Sequence, residues 1–286
     1  MFSKALIEIV YHETDSSEYI FECFKTLDLN GIDGIVGVGG DGLINQIVNA
    51  LHCRDDIEQV RQIPIGIVPA GSQNALIISI CGFKTIEEYT FAIIKGDQRC
   101  LDAIDTYYPE TKKHVYSLTA VAYGFTGDVL KESEEHRWMG PFRYQYCAFK
   151  EFCKNKGYRA IVSYQPENED NWITLDHEDY SFICGFNISG RSTQTEHQVG
   201  AECDDGFITL LLVKSGTRVD TISYLVRSLQ GTHQTLENVF VVKTKSIVLK
   251  PCETYSSPIN IDGELHPTST IHMQNLSKYL KLFVPL

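Results

Sequence analysis

Apolar positions in the first hundred residues fall into two alternating kinds of run. Residues 34–38 and 64–68 are continuous and rich in Ile and Val, which predicts buried strands. Each runs into a glycine turn and then into apolar residues at helical spacing. Leu43, Ile44, Ile47, Val48 and Leu51 predict a helix over 43–51, and Ala75, Leu76, Ile77 and Ile80 predict the next. Residues 5–10 fit a further strand. Ile20, Phe24 and Leu27 fit a helix opened by the capping-box pattern of residues 15–18, and Ile86, Tyr89, Ile93 and Ile94 fit a helix over 85–95. Strand alternating with helix predicts a doubly wound parallel sheet.

The pattern changes near residue 101. Short runs of β-branched and aromatic residues recur at 116–123, 158–164, 172–175, 181–188, 207–213, 239–242 and 246–249, separated by polar turns. Two helices interrupt them, one over 142–153 behind Gly140-Pro141 and one over 219–229. Trp138, Met139, Phe142, Tyr146 and Phe149 fit either a core or the lining of a lipid pocket. The chain therefore reads as an α/β protein. An N-terminal doubly wound parallel-sheet domain (1–103) precedes an antiparallel β-sandwich domain (104–286), with the site expected in the cleft between them.

Composition narrows the function. The 286 residues are 43% hydrophobic, enough for a substantial core, yet no apolar run is long enough to span a bilayer. Glu8 interrupts the only apolar stretch at the start, so no signal peptide is expected. Nine cysteines without a Cys-x-x-Cys pair fit reduced thiols of a cytoplasmic protein. A formal charge of −12 opposes binding to nucleic acid and general attraction to anionic membranes. Peripheral membrane contact would need an apolar patch or a local basic cluster.

The turn after the first buried strand, Gly39-Gly40-Asp41-Gly42, opens a helix, and helix N-terminal amides lack partners and carry partial positive charge. Glycines let a phosphate approach such a backbone closely. Asp41 in this setting is suited to hold Mg2+ or to accept a proton from an attacking hydroxyl. It also fits a structural helix cap. The pattern points to phosphoryl transfer.

Further motifs follow in order: Pro69-Ala70-Gly71-Ser72-Gln73-Asn74; Tyr123-Gly124-Phe125-Thr126-Gly127-Asp128; Glu132-Ser133-Glu134 with Arg137 and Arg143; and Asp262-Gly263-Glu264. Together with Gly37–Gly42 they resemble the diacylglycerol/sphingosine/ceramide kinase family over almost the whole chain. Residues 131–140 are most similar to its ceramide kinases. The resemblance implies an ATP- and Mg2+-dependent lipid kinase acting on a membrane lipid. Asp41 would be the proton acceptor, and Gly39, Gly40, Asp41 and Gly42 would meet substrate, with Asp128 and Leu130 beside its headgroup. Gly71, Ser72, Gln73 and Gln46 would border the nucleotide, while Arg137 and Arg143 would hold its phosphates. Asp262, Gly263 and Glu264 would return to the cleft, with Asp41 and Glu264 at the metal.

Departures from the family pattern sharpen the expectation. Leu130 stands where sphingosine kinases carry a carboxylate, and leucine cannot compensate a buried ammonium. An amide lipid such as ceramide is thereby favoured, with diacylglycerol and sphingosine as alternatives. Gln46 replaces a frequent glutamate and Gln73 a frequent glycine. The family's first strand and its Asn-Pro-x-Gly-Gly loop are not found before residue 5, which leaves a lipid-binding protein without catalysis as a further alternative. Asp262-Gly263 is also a strong hairpin-turn signal.

Overall fold

The computed structural model describes residues 1–14, 16–140, 142–190, 200–252 and 256–285. Asp15 and Pro141, both part of the expected helix starts, lie outside them. Ser16 nevertheless caps the first helix, α1 (Ser17–Thr26), its hydroxyl accepting the Tyr19 amide at 3.2 Å.

The glycine turns lie where the pattern puts them. Strand β1 (Ile35–Gly39) leads into α2 (Asp41–His52), the short α3 (Ile57–Val60) follows, and β2 (Ile65–Pro69) leads into α4 (Ala75–Cys81) and α5 (Ile86–Lys95). β1 and β2 are parallel and in register from Ile35↔Ile65 to Gly39↔Pro69. The expected strand at 5–10 is a correction: Phe2–Ala5 is a single 3-10 turn, and 7–14 have no regular structure. Leu6, Ile9, Val10 and Tyr11 are exposed, since no described strand offers this segment its backbone groups.

After residue 97 every strand pairs antiparallel, apart from one contact. The elements are β3 (Gln98–Tyr108), β4 (Lys113–Ser117), β5 (Ala120–Gly124), α6 (Phe125–Glu135), α7 (Phe142–Lys154), β6 (Tyr158–Pro166), β7 (Ile173–Phe186), β8 (Ile208–Lys214), α8 (Arg218–Leu229), β9 (Val239–Pro251), β10 (Ile259–Ile261), β11 (Glu264–His266) and β12 (Ile271–Phe283). The runs expected at 172–175 and 181–188 are one strand, β7, and those at 239–242 and 246–249 are one strand, β9. Both are long because different stretches of each serve different neighbours: β9 pairs β6 through 244–251 and β8 through 239–244. With β6–β7 and β7–β8 pairing, these four strands close a circuit around Tyr123, Tyr158, Ile183, Leu210 and Ile247. The run expected at 116–123 is broken at 118–119 into β4 and β5, a break that matters for the site.

The exception is β12. Its first part pairs antiparallel with β9 and its whole length with β3, and its end places Leu282 beside Ile65 as a parallel neighbour of β2. The two halves thus share one sheet path, and the boundary expected at 103/104 falls inside β3. The core follows the sheet: Ile44, Ile65 and Leu76 pack with Leu101, Leu280 and Leu282. Here the parallel sheet is mixed, with two consecutive parallel strands and a third supplied from the other end of the chain.

Candidate active site

The close approach of the two glycine turns organises the site. Register brings the ends of β1 and β2 level, and the Ala70 amide donates to the Gly39 carbonyl at 2.9 Å. A Cβ on Gly71 would lie 2.4 Å from the Gly40 Cα, so only glycine permits this backbone contact. Gly42 faces open space, and Gly40 caps α2 without a side chain.

Asp41 spans the two turns. Its Oδ2 accepts the Ala75 amide at 2.8 Å and its Oδ1 the Leu76 amide at 2.9 Å, both in the first turn of α4. The structural cap foreseen for Asp41 is therefore real, but it serves α4 rather than its own helix. Burial pushes its carboxyl above the ordinary 3.8, two amide hydrogen bonds oppose that, and the nearby Asp262 charge adds to it. The 70–74 loop is closed on itself, with the Gly71 amide donating to Asn74 Oδ1 and Asn74 Nδ2 donating to the Gly71 carbonyl.

Asp262 enters from the β10–β11 hairpin, where Asp262 and Gly263 both have positive φ. Its carboxylate fills the break between β4 and β5. Oδ1 accepts the Ser117 hydroxyl at 2.5 Å, the Thr119 hydroxyl at 2.7 Å, and the Thr119 and Ala120 amides at 3.0 Å. Oδ2 accepts the Leu118 amide and Asn45 Nδ2, each at 2.7 Å. Asn45 lies on α2 one turn beyond Asp41, is buried, and also donates to the Tyr116 carbonyl at 2.9 Å. Asp262 is in this way a knot tying the β-rich part to the helix that carries Asp41.

Between them opens a cleft of about 640 Å³. Asp41, Ser72 and Gln73 line one side, and Thr119, Asn260, Asp262 and Gly263 another. Phe125, Thr126, Val129 and Leu130 of α6 supply an apolar wall, and Arg143 and Tyr144 of α7 complete it. α6 is fixed by Gly127, where a Cβ would lie 2.2 Å from the Pro258 carbonyl oxygen.

Other expected site residues stand elsewhere. Gly39, Gly40, Gly42 and Gly71 build the turns rather than line the cleft. Asp128 is on the buried side of α6, accepts Lys156 Nζ at 2.6 Å and the Tyr158 hydroxyl at 2.8 Å, and does not line the cleft. Arg137 is 72% exposed and ion-paired to Glu134, whereas the Arg143 side chain is 18% exposed and reaches the same Glu134 at 3.8 Å. The two arginines do not converge on the cleft; only Arg143 lines it. Glu264 is exposed and accepts Gln46 Nε2 at 3.2 Å, so these two meet each other just outside the lining. No cluster of three or more metal-ligating side chains occurs among the described residues. Trp138, Phe142, Tyr146 and Phe149 are neither core nor cleft lining but exposed.

Sequence reasoning missed Asn45, Thr119, Asn260 and Tyr144. Asn45 carried a signal: a polar residue between Ile44 and Ile47 on the apolar face of a helix. The β4–β5 turn carried none, because its amides are defined only by the carboxylate they hold.

Residues 1–106 match the family model described as diacylglycerol kinase catalytic domain. The chain is 28% identical to sphingosine kinase 1 of Arabidopsis thaliana over 93% of its own length and 63% of that protein's. It is 30% identical to human ceramide kinase over 90% of its own length and 58% of that protein's. The chain thus spans about three fifths of these relatives. In fold it is similar to a diacylglycerol kinase from Bacillus anthracis str. Sterne, with a TM-score of 0.71 at 17% identity, covering 99% of this chain and 88% of that one. By motif order and sequence, residues 1–106 match the diacylglycerol kinase catalytic domain, and the chain is similar along most of its length to sphingosine and ceramide kinases.

Proposed function

We propose that the protein is an ATP-dependent lipid kinase that phosphorylates the primary hydroxyl of ceramide or a closely related uncharged lipid. The observation that carries this reading is the cleft in which Asp41, Arg143 and the Asp262 turn face an apolar wall made by α6. Phosphoryl transfer asks the protein mainly to position reactants and to offset developing charge. Asp41 holds each amide through one oxygen and keeps further lone pairs for the proton of the lipid hydroxyl. Its raised pKa makes it a stronger base than a free aspartate. Arg143 supplies the cationic side chain of the lining, and the uncapped start of α2 supplies amides for phosphate oxygens. Ser72 and Gln73 border the nucleotide in this reading.

The donor set suits Mg2+ carried by a nucleotide, which needs only one or two protein carboxylates beside phosphate oxygens. Asp41 and Glu264 would hold it, and bound there it would neutralise phosphate charge. Asp262 does not fit this role, because six donors already surround its two oxygens.

Relatives named for sphingosine and for ceramide both match, so the headgroup decides between acceptors. Leu130 lines the cleft, Asp128 is tied to Lys156 and Tyr158, and the two acidic side chains of the lining are engaged as described. Leu130 offers an ammonium no carboxylate and Asp128 is already paired, which supports an uncharged amide headgroup.

The test is transfer from labelled ATP to a panel of ceramide, diacylglycerol and sphingosine by wild type, Asp41→Asn and Leu130→Asp. Wild type is expected to label ceramide most strongly, and Asp41→Asn to lose on the order of 10²–10⁴-fold in kcat. Leu130→Asp is expected to gain on sphingosine relative to ceramide. Undiminished transfer by Asp41→Asn removes the proposed base, and unchanged preference in Leu130→Asp removes the headgroup argument.

A further inference from the structure

Two polar side chains of the cleft are each half used by the fold. Thr119, in the break between β4 and β5, donates its hydroxyl proton to Asp262 Oδ1 at 2.7 Å. Its oxygen has only acceptor capacity left. Asn260, in β10, accepts the Gly263 amide on Oδ1 at 2.9 Å. That bond fixes which end of the side-chain amide is oxygen. Nδ2 keeps its two protons, and they meet no acceptor among the described residues. A threonine and an asparagine, each able to donate and to accept, are thereby set as one acceptor and one donor. Both line the cleft.

They stand on the same side of the cleft as the Asp262 turn, which links them to Asp41. Asn260 pairs with Ala122 of β5 and opens the hairpin turn that carries Asp262. Asp262 holds Thr119 on one oxygen and Asn45 on the other, and Asn45 lies one turn beyond Asp41 on α2. The part of a bound lipid next to the hydroxyl that Asp41 serves is therefore the part within reach of this pair. In ceramide, the carbon that bears the primary hydroxyl is bonded to the carbon that bears the amide nitrogen.

We infer that Thr119 and Asn260 read the secondary amide of the lipid, Thr119 Oγ1 accepting its N–H and Asn260 Nδ2 donating to its carbonyl. The assignment rests on the reading of the cleft as the acceptor site for an uncharged lipid. A secondary amide carries one donor and one acceptor and satisfies both side chains. A diacylglycerol ester has a carbonyl but no N–H, and it leaves Thr119 unanswered. The ammonium of sphingosine has donors but no acceptor, and it leaves Asn260 unanswered. A site built to pair such groups rejects a ligand that lacks one of them, because the protein group is left desolvated without a partner. Leu130 acts only against the ammonium; Thr119 and Asn260 also separate amide from ester.

The experiment is titration calorimetry without ATP, with three probes: a short-chain ceramide, the same ceramide methylated on its amide nitrogen, and a short-chain diacylglycerol. Wild type is expected to bind the ceramide roughly ten-fold more tightly than its N-methyl form. Thr119→Val removes the hydroxyl and leaves Asp262 its five other donors. It is expected to lose most of that preference while keeping wild-type affinity for diacylglycerol, and Thr119→Ser to retain the preference. Asn260→Asp keeps an oxygen for the Gly263 amide and is expected to weaken ceramide and diacylglycerol alike, roughly ten-fold. This binding pattern without transfer from labelled ATP supports the amide assignment and removes only the kinase reading. The assignment is overturned if wild type binds no ceramide, or binds both ceramides equally. It is equally overturned by a preference that survives Thr119→Val, by a Thr119→Val that weakens diacylglycerol as much as ceramide, or by undiminished ceramide binding in Asn260→Asp.

Discussion

Asp41 and Asp262 share one cleft, and their donors set them apart. A carboxylate offers about four lone-pair sites. Asp262 meets six donors, whereas Asp41 meets two amides. The first is a structural tie, and the second is poised to titrate. Burial, joined by the Asp262 charge, outweighs the two amides and raises Asp41 above 3.8. The folded state therefore holds this proton more tightly than the unfolded chain. The resulting cost to stability is absent below the unfolded value and grows as pH rises through the folded one. Catalysis follows the same titration in the useful direction, since the base is active only when ionised. The acid limb of kcat is expected above the ordinary carboxylate range, and the stability of Asp41→Asn relative to wild type should rise from acid to neutral pH. Rate profiles and urea midpoints from roughly pH 4 to 8 check both. An acid limb at the ordinary value counts against Asp41 as the base. At this scale the sequence showed the carboxylates but not their partners: Asp41 was legible from its glycines, while the six donors to Asp262 come from chain segments far away.

At the level of elements, the turns were legible and the unpaired strand was not. Glycines at 39, 40, 42 and 71 announce tight backbone, and the structure uses two of them to press one turn on the other. Gly71→Ala puts a methyl 2.4 Å from the Gly40 Cα and forces the turns apart. It is expected to cost roughly 3 kcal/mol in urea unfolding. Gly42→Ala meets nothing within 4 Å and should leave stability nearly unchanged, which isolates the contact from a general glycine effect. Residues 5–10 show the opposite case. Their side chains favour a strand, but a strand exists only through a partner's hydrogen bonds, and the pattern of one segment cannot report its neighbour. β3 and β12 escaped notice for a related reason. Both mix exposed and buried positions irregularly, and β12 bulges between Leu276 and Leu280, where Lys278 takes a positive φ and its amide donates to the buried Asp102.

For the whole molecule, the division into an α/β half and a β-rich half was legible from the change in hydrophobic period, and its seam was not. β12 runs alongside β3 and β9 and ends beside β2, and its Leu280 and Leu282 complete the core under α2 and α4. A sheet shared in this way predicts one cooperative unfolding transition. Hydrogen exchange at Leu210–Leu212 reports on the β-rich half, and at Ile44–Val48 on the other. Coincident midpoints in urea are expected, and two separated transitions would show that the halves stand alone. Synthesis adds a constraint of its own. A ribosome delivers residues in order, so β2 waits for the last strand described to emerge before its second edge is covered. The nascent α/β half stays incomplete until β12 has left the exit tunnel and can lie beside β2.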